Sequence, residues 1–384
     1  MEFSFNKEQE LFRSSVRKYL HSIGQIQVAR SFSEGDTVPF KKAWQGLAEL
    51  GGLAINIPEE HDGAGLGQLD LALILKELGR VLLPGTYLET TSFAVPLINL
   101  FGTSEQKQMY LPDIASGTKK ASIAWMDHGR IGDRLEDIQL KAEKCGQTFT
   151  LTGVKTLVPD GDTADLLIVP VRTSHQGLSI FLLNKESHPW KSKVLESVDE
   201  TRKLTEVSLE EVAVTSRQML GPIDQGWSIL QQGLIYLNAA IASMMIGSIE
   251  RVVETAVEYA NEREQFGQPI GRFQGIKHKL AEMQIDLELA QSLTYYANWA
   301  IDSGAGDCEI AVASARAFAT EALIRTASHN IQIHGGIGFT TEVDCHLYLK
   351  RARSMENYLG SIRNAYESIA KGLGWCKGEE QPVF

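Results

Sequence analysis

Cysteine is scarce and scattered. The four, Cys145, Cys308, Cys345 and Cys376, form no C-x-x-C pair, so neither a disulfide framework nor a zinc site is indicated. Isolated buried thiols in a reducing compartment are expected instead. Positive charge is also short: 37 Lys and Arg stand against 48 Asp and Glu, for a net charge of -11. A polyanion is repelled by that balance, so nucleic acid is not an expected partner, although a local basic pocket can still take a phosphorylated cofactor. Residues Met1 to Glu8 lack the apolar segment of a signal peptide. No uninterrupted apolar run has the length of a bilayer crossing. The expected location is the cytoplasm, with no membrane partner. Internal repeats and low-complexity segments are absent.

What is present is ordinary globular material. The chain has 384 residues, 43% hydrophobic and 22% charged, enough for two or three domains. Its texture changes twice. Residues 6 to about 115 read as helices: Asn6 can cap the first, Gln9 can reach back to it, and Leu11, Phe12, Val16, Tyr19 and Leu20 recur at helical spacing. A Gly/Pro-rich turn, Ile57 to Gly67, precedes a helix around Leu69 to Leu83. Short apolar or alternating runs follow at 149–154, 166–171, 179–183 and 205–209, punctuated by Gly, Asp, Pro and Ser. Long helices return at 226–264, 276–302, 309–334 and 355–371. The predicted architecture is α+β and multidomain: an N-terminal helical domain (1–116), a central antiparallel β-barrel or sandwich (117–225), and a C-terminal four-helix bundle (226–384).

Specific chemistry enters at Tyr259-Ala260-Asn261-Glu262-Arg263-Glu264-Gln265-Phe266-Gly267-Gln268-Pro269-Ile270-Gly271, continued by Phe273-Gln274-Gly275-Ile276. A second motif is Gln332-Ile333-His334-Gly335-Gly336-Ile337-Gly338-Phe339. A third, Pro58-Glu59-Glu60-His61-Asp62-Gly63-Ala64-Gly65, carries Asp62 where a glycine is usual. Together they resemble the signatures of the acyl-CoA dehydrogenase family, in family order along essentially the whole chain. The resemblance implies FAD as cofactor. It implies that Arg263, Gln265, Phe266, Ile270, Phe273 and Gln274, with Gln332, Ile333, Gly335 and Gly336, hold the ADP portion of a FAD belonging to the neighbouring subunit. The residue types suit that role. A guanidinium fork matches a pyrophosphate, Phe266 offers a flat apolar face, and Gly267 and Gly271 permit a tight turn. The bland alternatives are that Arg263 pairs with its own helix end or with Glu264, and that Gly335 and Gly336 merely stop a helix.

The same comparison exposes what is missing. Family enzymes remove an α-proton from an acyl thioester with a carboxylate while the flavin takes the β-hydride. That acid usually lies in a Tyr-Glu-Gly-Thr segment, which here reads Tyr358-Leu359-Gly360-Ser361. The minority position, on the long helix before Arg263, is Leu237, followed by Asn238 where an arginine is common. Leu234, Leu237, Ile241 and Met245 form one apolar stripe, read as core or pocket wall. The stretch expected to cradle the subunit's own flavin reads Asp127-His128-Gly129-Arg130-Ile131-Gly132-Asp133-Arg134. The aromatic-Ile-Thr that packs on the flavin ring reads Leu157-Val158-Pro159, without a flat surface or a final N–H. Asp127, Asp133 and Glu356 are the carboxylates to test as substitute bases. His128 and His334 are expected to be hydrogen-bonding or turn residues.

The losses fall on one side of the chemistry. The expected function is therefore an FAD-dependent acyl-CoA dehydrogenase-like subunit, without a base of its own, in a heteromeric complex such as a heterotetramer. It resembles subunits known in steroid side-chain degradation. Its expected partners are a catalytic acyl-CoA dehydrogenase subunit, an acyl-CoA substrate and electron-transfer flavoprotein as electron acceptor. Two other readings stand beside it: a self-sufficient homotetrameric dehydrogenase with a relocated base, and a non-enzymatic acyl-CoA- or flavin-binding protein or scaffold.

Overall fold

A computed structural model describes residues 5–129, 134–175 and 177–375. The N-terminal helices are α1 (Lys7–Ser22), α2 (Gln27–Ser33), α3 (Val38–Glu49), α4 (Gln68–Arg80), α5 (Tyr87–Glu89), α6 (Val95–Phe101) and α7 (Ser104–Ala115), with a π-helical turn, Thr90–Ala94, joining α5 to α6. The start of α1 follows from its cap: Gln9 N donates to Asn6 Oδ1 at 2.8 Å, and Asn6 N donates to Gln9 Oε1 at 2.9 Å. Two otherwise orphaned donors are thereby satisfied. Val16 and Leu20 carry the buried face.

The central strands are β1 (Ala121–Ile123), β2 (Met126–Asp127), β3 (Ala142–Cys145), β4 (Thr148–Pro159), β5 (Leu166–Arg172), β6 (Leu178–Asn184), β7 (Lys191–Leu195), β8 (Leu204–Thr215) and β9 (Met219–Leu220). They make two sheets, ordered β1-β5-β6-β9 and β2-β4-β8-β7, with β3 on β4. Leu167, Val169, Phe181 and Leu183 from one sheet share a core with Phe149, Leu151, Val207 and Val214 from the other, as in a sandwich. The antiparallel expectation needs one correction. β1 runs parallel to β5, pairing Ala121 with Leu166, because the chain enters the sheet from the helical side. Thr90 Oγ1 fixes that entry: it donates to Ala121 O and accepts from Ala121 N, both at 3.0 Å.

The C-terminal helices are α8 (Gly226–Glu262), α9 (Gln274–Ser303), α10 (Cys308–His334), α11 (Cys345–Glu356) and α12 (Ile362–Gly372). The expected fourth helix, 355–371, is really two. The backbone breaks where Leu359 takes φ 50° and Gly360 φ 129°. The apolar-run expectation is also corrected. By length and composition α8 can cross a membrane, with a mean hydropathy of 1.4 over its most apolar stretch. Its share buried inside the protein is 72% of that stretch, so it serves here as the central core helix. Nor are the thiols uniformly buried: Cys345 is, Cys308 is half-buried and Cys145 is exposed on β3. Cys376 lies outside the described residues.

α4 and α8 cross in close contact because two glycines permit it. A Cβ at Gly79 would lie 1.9 Å from Met244 O, and one at Gly247 would lie 1.8 Å from Lys76 O. Both obstacles are backbone, so neither can swing aside. Gly247→Ala is expected to force the helices apart and cost roughly 1–3 kcal/mol or more. Chemical denaturation of variant and parent checks it; an unchanged midpoint would refute the close crossing.

Candidate functional site

The long helix α8 ends at Arg263, whose N–H donates to Tyr259 O at 2.8 Å. The chain then makes a small hairpin, β10 (Glu264–Gln265) and β11 (Gln268–Pro269). Its turn places Phe266 at φ 54° and Gly267 at φ 78°. Left-handed backbone is strained for a phenylalanine, and this ring is also 93% exposed. Its neighbour is Phe273, edge-on at 6.0 Å between centroids. Ile270 and Phe273 are half-buried beneath the hairpin, while Arg263, Gln265 and Gln274 are exposed. Gln265 Nε2 donates to Glu264 O at 2.8 Å. The pairing of Arg263 with Glu264 does not occur, since no ion pair or side-chain hydrogen bond from Arg263 is made among the described residues, and Arg263 does stand at the end of its own helix.

At the end of α10, Gly335 turns the chain at φ 67°. A Cβ at Gly335 or Gly336 would meet nothing within 4 Å, so this backbone faces open space. Gln332 is exposed beside it, and Phe339 is 80% exposed. Ile333 departs from the expectation: it is 5% exposed and belongs to the core. Position 333 therefore offers only its main chain to a ligand. His334 is inward too, stacked on Tyr259 at 4.1 Å with Nδ1 2.9 Å from Asn330 O. Burial holds its pKa below the usual histidine value.

The outward residues fit the ADP end of FAD: an uncommitted guanidinium, an exposed ring and open glycine backbone. The flavin-ring end does not fit. Leu157 is at φ 53° and 43% exposed, Val158 is buried, and Pro159 has no N–H. Asp127 is committed elsewhere. Its Oδ1 lies 2.9 Å from buried Lys155 Nζ, and its Oδ2 accepts from Gln139 N at 2.5 Å and Leu140 N at 3.2 Å. His128 is exposed, 3.7 Å from Glu206. Asp133 lies outside the described residues.

Directly after Pro159 comes Asp160, 3% exposed, with Oδ2 lacking a hydrogen-bond partner. Burial pushes its carboxyl up to about 7, with Arg202 opposing and Glu89 adding to the rise. The folded state thus holds a proton that the unfolded chain releases near pH 4. Stability attributable to this group falls as pH rises from about 4 to about 7, and the cost is complete above that. Asp160→Asn is expected to stabilise the protein by roughly 1–4 kcal/mol at pH 8 and to change little near pH 4. Urea midpoints at both pH values decide it; equal effects at the two would refute the protonated carboxyl.

A cavity of about 550 Å³ opens between α8, α10, α12 and the Leu359 turn. Leu234, Asn238, Ile310, Val312, Arg316, Leu359 and Ile362 are among its lining residues. Leu359 therefore stands in the cavity wall, whereas Leu237, 1% exposed, lies in the core away from it. Glu356 does not substitute. It accepts from Arg353 at 3.0 Å, and the break after α11 removes the shared helical face that would have brought it beside Leu359. No carboxylate among the expected ones reaches the cavity within the described residues.

Sequence reasoning missed the buried charges. Arg316 stands in an alanine-rich stretch of α10 and looks like a surface residue, yet it is 5% exposed. Glu89, Arg202 and Tyr358 form a second buried cluster, in which Glu89 Oε1 accepts from both partners. No local pattern marks partners 113 and 269 residues apart.

The models of the acyl-CoA dehydrogenase N-terminal and C-terminal domains match residues 6–118 and 224–374. A probable acyl-CoA dehydrogenase of Bacillus subtilis (strain 168) is 29% identical over 367 residues, covering 93% of this chain and 95% of that one. Butyryl-CoA dehydrogenase from Megasphaera elsdenii superposes with a TM-score of 0.88 at 25% identity, covering 97% and 100%. A chain solved in work on the electron transferring flavoprotein of Acidaminococcus fermentans gives a TM-score of 0.90 at 26% identity, covering 97% and 99%. With both conserved domains matched and the three-part fold shared, this chain belongs to the acyl-CoA dehydrogenase family, FAD-dependent oxidoreductases acting on CH–CH bonds.

Proposed function

We propose that this chain is the subunit without a base in a heteromeric acyl-CoA dehydrogenase. Its Arg263–Gln274 hairpin and Gln332–Gly336 turn serve the ADP half of a FAD whose ring is held by a catalytic partner subunit. The observation that carries this reading is Leu359. It lines the cavity at the position of the usual base, and its backbone sits at φ 50°. Left-handed backbone costs a leucine about 1–2 kcal/mol. Such strain is typically retained at functional sites. The turn keeps a functional shape while its side chain has lost the chemistry.

Bound FAD supplies the hydride acceptor for α,β-desaturation of an acyl-CoA thioester. The partner supplies the carboxylate that takes the α-proton. This chain binds the adenine-side phosphates and walls the acyl cavity. The assembly is a heterotetramer in the cytoplasm, electron-transfer flavoprotein receives the electrons, and steroid side-chain thioesters are the candidate substrates. The likeness to a chain from work on an electron transferring flavoprotein supports the acceptor.

The test is a visible spectrum. Purified alone, the chain is expected to lack the flavin band and show no reduction by acyl-CoA. Co-expressed with a dehydrogenase-like chain encoded beside it, both are expected to return. Full flavin occupancy and rapid reduction in the isolated chain would end this reading.

A further inference from the structure

The cavity beside Leu359 is lined by a buried charge that has no ion-pair partner within 4 Å among the described residues. Three charged residues line it: Glu309, Arg316 and Lys371. Glu309 and Lys371 are exposed and of opposite sign. Arg316 is buried. All its contacts are neutral: Nε donates to Asn238 Oδ1 at 3.2 Å, Nη1 to Thr320 Oγ1 at 2.6 Å, and Nη2 to Met355 O at 2.5 Å. No carboxylate lies within 4 Å of the guanidinium among the described residues. Burial lowers its pKa to about 10, with the charge of Glu356 opposing from beyond ion-pair distance, which still leaves it charged at neutral pH.

An unpaired buried cation is costly, and proteins keep one where a ligand or partner supplies the counter-charge. The cavity geometry indicates a ligand. Its volume is of small-molecule size, and much of its wall is apolar: Leu234, Ile310, Val312, Leu359 and Ile362. Asn238, 9% exposed, commits Oδ1 to Arg316 and so leaves its amide NH2 as a donor beside the guanidinium. Met355 O, which Arg316 grips, is four residues before Leu359. The cation is thus tied to the turn that carries Leu359 at the usual base position.

We propose that Arg316 and Asn238 form a carboxylate-recognition site, so that the cavity takes a ligand carrying a carboxylate on a short apolar chain. This rests on reading the cavity as the acyl pocket, and it names a substrate class different from steroid side-chain thioesters: acyl groups ending in a carboxylate rather than a methyl. A free carboxylic acid shares the chemistry and is a separate arm of the test.

The test is calorimetric titration of the full chain, as purified, with glutaryl-CoA, valeryl-CoA and free glutarate. The two thioesters match in length and differ in the terminal charge. Glutaryl-CoA is expected to bind about 10-fold or more tightly than valeryl-CoA. The preference should vanish in Arg316→Gln and largely survive in Arg316→Lys. Glutarate binding as well as its thioester would assign the carboxylate to a free acid; binding of the thioester alone would assign it to the acyl terminus. Equal affinity for the two thioesters, or a preference that survives Arg316→Gln, overturns the proposal and leaves the acyl pocket standing. If no probe binds, the acyl-pocket reading and this proposal fall together. Should Arg316→Gln not fold, the wild-type comparison with Arg316→Lys decides.

Discussion

Replacing Glu89 with alanine is expected to lower the stability of this protein by about 3–5 kcal/mol. Glu89 is fully buried, with Arg202 5% and Tyr358 8% exposed. Its Oε1 accepts from the Arg202 guanidinium and from the Tyr358 hydroxyl, while Oε2 has no partner. Arg202 also lies 4.5 Å over the Tyr358 ring. Burial alone would lower the arginine's pKa, but Glu89, Tyr358 and Asp199 together raise it. Burial and the Glu89 charge hold the tyrosine well above its ordinary value. Without Glu89 a desolvated cation loses its hydrogen-bonded counter-ion, which costs far more than the net worth of the pair.

Two consequences separate this account from simple cavity creation. First, Arg202→Leu added to Glu89→Leu should recover much of the loss, because two buried charges vanish together. Second, Asp160 should ionise more readily once Glu89 is gone, since Glu89 is one of the groups that raises its pKa. Glu89→Ala with Asp160→Asn should then cost more than the two changes summed. Denaturant midpoints of Glu89→Ala, Glu89→Leu, Asp160→Asn and the two double variants check both points. A Glu89→Ala loss below about 1 kcal/mol would show that the cluster does not couple as described.

Much of this fold is legible in the chain, for identifiable reasons. Asn6 and Gln9 announce α1 because a cap is a local hydrogen-bond exchange. The buried runs at 166–171 and 179–183 announce β5 and β6 because apolar runs between turn residues have few other uses. Direction is not local, so the parallel pairing of β1 with β5 is invisible until the helix that precedes it is placed. β7 escapes because its burial pattern is exposed along most of its length, which leaves no alternation to read. The break between α11 and α12 is written only in Gly360 and Ser361. A helical apolar pattern runs through them, and Leu359 at positive φ is a conformation no propensity favours.

The site divides in the same way. Glycines and an aromatic in outward turns carry a signal that needs no partner, so the Arg263 and Gly335 motifs can be found from the sequence. Buried charge carries none. Arg316, Glu89 and Arg202 look like surface residues until distant segments close over them. Composition says which charges exist, but burial decides which ones matter. Ile333 shows a different limit: its side chain is core, because positions 330, 333 and 334 share one inward helical face at i, i+3, i+4 spacing.

Arg263→Ala is expected to cut FAD affinity of the assembled complex by about 10–100-fold while leaving the chain's own stability within about 0.5 kcal/mol. The two halves of that expectation have one cause. Arg263 is exposed and its side chain has no partner within the described chain, so removing it breaks nothing internal. A guanidinium meeting a pyrophosphate makes paired charge-assisted bonds, each among the strong ones. Lysine cannot reproduce the planar fork, so Arg263→Lys should recover only part of the affinity. Phe266→Ala should remove a smaller share and should leave the isolated chain's stability nearly unchanged, because the ring is 93% exposed and alanine keeps the same strained Cβ. The hairpin bears that exposure together with a left-handed phenylalanine. The proposed ADP contact would offset both costs on binding. Flavin released per mole of complex, with thermal midpoints of the isolated chain, reads both quantities. Unchanged flavin content in Arg263→Ala would show that this end of α8 holds no pyrophosphate. Lost flavin with an equally destabilised chain would make Arg263 a structural residue.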